Sequence, residues 1–279
     1  TEASLKQLAG LVDKSFLSHD PASGRLEIHE LLRQYAEEHL EKTPDSTLSA
    51  HEAHAAYYAE FMEQREAYIK SSQQMGALAE IESDMENVRA AWRYYLGQKN
   101  TSQIWKFIYG LWHFHWIRSC NHAGTELFAE AVDSLGEAGD EEKALRALSV
   151  AFQAYFMAWL GIPERGYEQA TESVRVLEHL NHPKALLFAY ESICINAYFF
   201  SRITEFAEAI DRLVETADEI GDKWLKAFVL FPPGMNALIL GNYAEAQRLA
   251  ESALDLYEEI GDVIGSTMPI VILGHVALA

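Results

Sequence analysis

Hydrophobic positions keep two rhythms along this chain. Near the amino end, "LKQLAGLVDKSFLSHDPASGRLEIHELLRQYAEEHL" reads as a helix, a strand, a turn over residues 20–24, a second strand and a long helix. Arg25, Leu26, Glu27 and Ile28 alternate along that second strand, and Leu32, Tyr35, Ala36 and Leu40 then fall at helical spacing. From residue 101 onward the spacing is helical and it repeats. Leu160-Gly161, Phe200-Ser201 and Leu240-Gly241 are separated by steps of forty, as are Leu180, Ile220 and Ile260. Each unit predicts two helices with a small residue at the turn. In "LGNYAEAQRLAESALDLYEEIGD", Gly241 ends one helix, Tyr243 and Ala246 pack the turn, and Ala250, Ala253 and Leu254 stripe the next. Residues 101–140 join the series only with a two-residue shift, and the last unit reaches Ala279 inside its first helix, which predicts a solenoid truncated in its final repeat. Pro232 and Pro233 fall within the first helix of the third unit, where two missing amides predict a kink or split, and Pro269 repeats the interruption one unit on.

Composition narrows what such a chain does. With 279 residues, 49% hydrophobic and 23% charged, it has material for a large core and two or three domains. The formal charge of −20 is spread along the chain, and no Lys/Arg cluster forms the basic face that direct binding to nucleic acid requires. Apolar stretches such as "AFVLFPPGMNALILG" are too short and too interrupted to span a bilayer, and "TEASLKQLAG" lacks the features of a secretory leader. Cys120 and Cys194 stand far apart in apolar helical contexts, which favours reduced thiols in a cytoplasmic protein.

In the repeats, Gly234, Gly241, Tyr243, Ala246, Ala250 and Ala253 resemble the tetratricopeptide pattern in its longer, forty-residue form. "LVDKSFL" followed by "IHELLRQYA" resembles the winged-helix segment of the STAND signal-transduction ATPases, the class that includes NB-ARC proteins and the maltose-type bacterial activators. "IESDMENVRAAWRYYL" is similar to the connector that joins that segment to the repeats in the same class. The resemblance implies an all-α architecture: a right-handed tetratricopeptide-like solenoid over 101–279, a helical connector over 46–100, and a winged-helix remnant with one β-hairpin over 1–45. It also implies a role for the strand-to-helix junction. There the class carries a Met-His-Asp motif whose histidine approaches the β-phosphate of bound ADP, and the matching residues here are Ile28, His29 and Glu30. The longer Glu30 arm departs from the motif, and the residues alone, without the resemblance, read as a helix cap and a first-turn acid. No GxxxxGK(S/T) phosphate loop occurs in the chain, so ATP or ADP is expected on a nucleotide-binding domain of the same parent protein rather than here.

Other candidate chemistry is sparse. His51 and His54 share a helix face but lack further metal ligands, and His113 and His115 point to different faces and read as packing residues. With no nucleophile elbow, CxxC or HExxH, the chain is not expected to be an enzyme and no cofactor is expected on it. The concave face implied by the resemblance is the richer feature. Its aromatic and apolar positions include Tyr155, Trp159, Ile195, Tyr198, Phe199, Phe228, Phe231 and Met235, with Glu191 as the acidic group among them. Such a face either receives a protein or small-molecule inducer or packs against itself, with Glu191 paired to Arg146 or Lys184. The expected function is the sensing arm of a STAND-type regulator; a free-standing repeat scaffold without an ATPase is the alternative, and a phosphate loop upstream in the parent gene separates the two.

Overall fold

The computed structural model describes residues 4–21, 24, 26–40 and 42–279, which form two compact units, 1–58 and 59–279. In the first unit, helix α1 (Leu5–Asp13) starts at a reciprocal cap. The Gln7 amide donates to Ser4 Oγ at 3.3 Å, and the Ser4 amide donates to Gln7 Oε1 at 2.7 Å. Strands β1 (Leu17–His19) and β2 (Leu26–Ile28) pair antiparallel with Leu17 opposite Ile28. Gly24, at φ +70°, takes the left-handed conformation that their turn needs, while Ala22, Ser23 and Arg25 of the expected turn and strand lie outside the described residues. Helix α2 (Glu30–Leu40) follows, and α3 (Pro44–Ile69) carries the chain across the boundary between the units. Neither α1 nor α2 contains a buried residue.

The second unit is all helix. After the end of α3 come α4 (Gln74–Gln98), α5 (Thr101–Ile117), α6 (Asn121–Ser134), α7 (Asp140–Trp159), α8 (Pro163–Leu177), α9 (Pro183–Phe199) and α10 (Ile203–Ile220). Then follow α11 (Lys223–Phe228), α12 (Phe231–Ile239), α13 (Tyr243–Ile260) and α14 (Thr267–Leu278). Helix α7 packs on α8 and α9, α9 on α10, α12 on α13 and α14, which is the nearest-neighbour order of a helical solenoid. The forty-residue step marks the turns: Gly161, Ser201 and Gly241 have φ of +77°, +59° and +71°. Ser119, also left-handed at +53°, precedes Gly161 by 161 − 119 = 42 residues, which is where the two-residue shift resides.

Close packing in the second unit has polar fasteners. Ser192 Oγ donates to the Ala151 carbonyl at 2.8 Å and Asn196 Nδ2 to the Ala154 carbonyl at 2.9 Å, so α9 is hydrogen-bonded directly to the backbone of α7. A Cβ on Gly166 would lie 2.1 Å from Asn196 Oδ1, so only glycine admits α8 at this distance.

Helix α5 departs from the expectation of an ordinary first repeat. Its residues from Phe107 to His115 are buried without interruption, so no face is left for solvent. His113 Nδ1 and His115 Nδ1 donate to the Tyr109 and Leu111 carbonyls, both at 2.7 Å, which satisfies one nitrogen of each ring inside the core. Trp112 meets Phe152, Tyr155, Phe188 and Phe228 at ring-centroid distances of 5.4, 5.3, 4.8 and 5.8 Å. Burying each such side chain contributes about 1.5–3 kcal/mol, and edge-to-face pairs add to it. Helix α5 therefore covers the faces of α7, α9 and α11 that carry these rings.

The proline pair splits its helix as expected. Helix α11 stops at Phe228, Val229 and Leu230 make a turn, and Pro232 and Pro233 sit in the first turn of α12, where their missing amides have no helical acceptor to lose. Pro269 likewise falls in the first turn of α14 and interrupts nothing. A polar clasp joins the α3–α4 turn to the α13–α14 turn. Asp262 accepts from Gln74 Nε2 and Trp224 Nε1, both at 2.7 Å, and from the Gly265 amide at 2.8 Å, while Gln74 Oε1 accepts from the Ile264 amide at 3.1 Å.

Candidate functional site

Glu191 stands on the inner face of α9, one turn before Ile195 and two before Tyr198 and Phe199. With Trp159 at the end of α7 and Phe231 and Met235 on α12, these residues line a cavity of about 250 Å³. Cys194, Phe206 of α10, Pro232 and Val271 of α14 complete its wall. The helix break at Val229–Leu230 matters for this geometry. It starts α12 afresh at Phe231, so that Phe231, Pro232 and Met235 form one wall of the cavity. Trp159 and Phe199 meet edge to face at 5.1 Å and remain 50% and 42% exposed, which sets them at the mouth. Cys194 and Phe206 are buried at its floor.

Two of the nine residues that the sequence placed in the groove do not belong to it. Tyr155 and Phe228 are sealed in the core, and the reason is α5: Phe228 lies 5.7 Å from Trp116 and 5.8 Å from Trp112, and Tyr155 lies 5.3 Å from Trp112. The expected groove face is thus self-packed along α5 and open at the cavity beside Trp159 and Phe199. Among the residues not anticipated, Phe206 carried a signal, because its equivalents forty residues away are Gly166 and Ala246. A ring where the repeat holds a small residue fills space that the other units do not have.

Electrostatics single out Glu191. It is 4% exposed, its Oε2 has no hydrogen-bond partner among the described residues, and burial pushes its pKa well above the carboxylate range. Neither of the two internal partners expected from the sequence has a bond to Glu191 among the described residues. Lys184 Nζ donates to Glu66 Oε1 at 2.7 Å and Arg146 lines a separate depression with Glu137 and Lys143. Burial opposes ionisation of Glu66, but Lys70 and Lys184 hold its pKa down to about 2. Glu191 has no such help, and burial favours its neutral form.

The junction residues sit in the other unit and are also plainly placed. His29 precedes α2 and is exposed; its Nδ1 accepts from the Leu31 amide at 3.3 Å, and its carbonyl accepts from Leu32 and Arg33 at 2.9 and 3.0 Å. Glu30 accepts a forked pair from Arg33 at 2.9 and 2.8 Å and a third bond from Gln34 at 2.9 Å, which hold its pKa down to about 2. His51 and His54 are on α3, and no group of three or more metal-ligating side chains occurs among the described residues. No helix among the described residues is long and apolar enough to cross a membrane.

No family model matches the chain. Proteins of Mycobacterium bovis and Mycobacterium tuberculosis that carry the name HTH-type transcriptional regulator are 26% identical over 274 residues, covering 92% of this chain. The chain spans 30% of the length of these relatives. Among solved structures, a Signal Transduction ATPase with Numerous Domains protein with a tetratricopeptide repeat sensor, from Pyrococcus horikoshii, superposes with a TM-score of 0.52 and 12% identity. The superposition covers 99% of this chain and 43% of that one. The resemblance read from the residues thus extends to the fold, an all-α solenoid.

Proposed function

We propose that this chain is the sensing arm of a STAND-type transcriptional regulator, with its inducer received in the cavity between α7, α9 and α12. The observation that carries this reading is an open, aromatic-lined chamber beside the faces that α5 covers. Residues 1–45 then belong to a winged-helix domain and 46–100 to the connector. The parent is a cytoplasmic protein whose ATP or ADP sits on a separate nucleotide-binding domain, and this arm itself catalyses nothing.

His29 fits the nucleotide-facing role in one respect. Because Nδ1 accepts from the Leu31 amide, the proton of the neutral ring is on Nε2, which is then a donor available to a phosphate oxygen. Glu30, forked onto Arg33, serves to hold the first turn rather than to reach a ligand. Exposed apolar residues of the first unit, including Leu5, Leu31 and Tyr35 at 86%, 68% and 60%, support a surface that docks on another domain of the parent. An inducer switches such a protein only if it prefers one arrangement of arm and nucleotide domain over the other.

The test is made in the full-length parent. Trp159→Ala with Phe199→Ala strips the mouth of the cavity without touching the core, and inducer-dependent output should fall by at least about tenfold if these rings are binding hot spots. Normal induction by the double variant would place the signal elsewhere.

A further inference from the structure

The cavity's chemistry says what kind of molecule it takes, granted the sensing role given above. Its volume of about 250 Å³ exceeds the roughly 150 Å³ in which an apolar cavity holds benzene, and it falls below the range of drug-sized sites. That leaves room for one ring with a short substituent, and none for a peptide segment.

The lining is apolar and aromatic; its polar side-chain groups are the buried Glu191 carboxyl, the Tyr198 hydroxyl and the Trp159 indole N–H, and it contains no lysine, arginine or histidine. A neutral carboxyl both donates and accepts, and this one has an oxygen with no partner. An anionic ligand would find no counter-charge here, and a chain of net charge −20 repels it on approach. An ammonium has the aromatic faces in its favour, but it must shed its own hydration and also draw the proton off a carboxyl whose neutral form burial favours. A neutral molecule meets neither cost. We infer that the cavity binds a small, uncharged, aromatic or alicyclic compound bearing a hydroxyl group, which hydrogen-bonds to Glu191 while its ring lies against Phe231 and Met235 behind the Trp159–Phe199 mouth.

Calorimetric titration of the whole chain with four probes tests this: p-cresol, toluene, benzoate and benzylammonium. One p-cresol should bind per chain, at least about tenfold more tightly than toluene, a gap of about 1.4 kcal/mol. Glu191→Leu should close that gap and Glu191→Gln should keep most of it. Phe199→Ala, at an exposed position that leaves folding intact, should weaken p-cresol. The affinity for p-cresol should not rise with pH, because the neutral acid is the form that binds it. The inference fails if p-cresol shows no saturable site, if benzoate binds more tightly, or if benzylammonium binds more tightly with an affinity that climbs with pH. Filling the cavity with Met235→Trp in the full-length parent separates the two readings. Normal induction by a filled cavity that, unfilled, takes p-cresol as stated removes the sensing role and leaves the ligand class standing. Lost induction by the filled cavity, with no p-cresol binding by the wild type, removes the ligand class and leaves the sensing role.

Discussion

Glu191 is an acid kept where acids do badly, and its cost depends on pH in a definite direction. Its folded pKa lies above its unfolded value, so the unfolded chain releases this proton first as pH rises. Stability is therefore fully present below the unfolded value of 4.5 and is lost as pH climbs towards the folded pKa, by up to roughly 1.4 kcal/mol per pH unit. Glu191→Gln removes the titration. Urea unfolding should show the variant gaining on the wild type as pH rises from acid to neutral, and a difference that is flat with pH would mean that Glu191 is ionised in the folded protein. Residue by residue, the sequence was most informative where side-chain type and repeat position agreed. Trp159, Ile195, Tyr198, Phe199, Phe231 and Met235 share the cavity because the forty-residue step brings equivalent faces together. Tyr155 and Phe228 obey the same step, yet what covers them comes from outside the regular units, and periodicity alone carries no information about that contact.

Helix α5 supplies that cover, although the repeat step placed it as the first helix of a shifted unit. "FIYGLWHFHW" is apolar on every side, the signature of a helix with no solvent face, and only the identity of the faces it meets was hidden. The paired prolines were legible too, since two adjacent residues without amides leave few places to sit except a first turn. Burying α5 commits two histidines. Burial drives the pKa of His113 down to about 3 and that of His115 down to about 4, and in each case it outweighs the hydrogen bond to a backbone carbonyl. Both rings are neutral when folded and take up protons when unfolded. Their contribution is whole above the unfolded value of 6.5 and is lost as pH falls, down to about 4 for His115 and about 3 for His113. Unfolding free energy should therefore drop by up to roughly 1.4 kcal/mol per pH unit for each ring below that value. His113→Asn with His115→Asn should flatten the slope, and an unchanged slope would assign the acid sensitivity to carboxylates.

At the scale of the repeat unit as a whole, the clasp between Gln74, Trp224, Asp262 and Gly265 changes how the array holds together. Solenoids usually behave as strings whose stability adds up neighbour by neighbour, so they fray from their ends. Here residues 188 and 190 positions apart in sequence are hydrogen-bonded, and the turn at Gly261 lies against Ser72 so closely that a Cβ there would meet it at 3.1 Å. Replacing Asp262 by alanine leaves the Trp224 N–H and one N–H of Gln74, whose other bond is to the Ile69 carbonyl, buried without their acceptor, at about 1–3 kcal/mol each. Hydrogen exchange should then show α13 and α14 opening on their own, ahead of α7 to α10, whereas the wild type should open these helices together. A seam of such separation also carries a kinetic consequence. The chain must bring the two turns together across an intervening loop of almost the whole array, so the seam closes late in folding, after the locally paired helices have shortened the path between its ends.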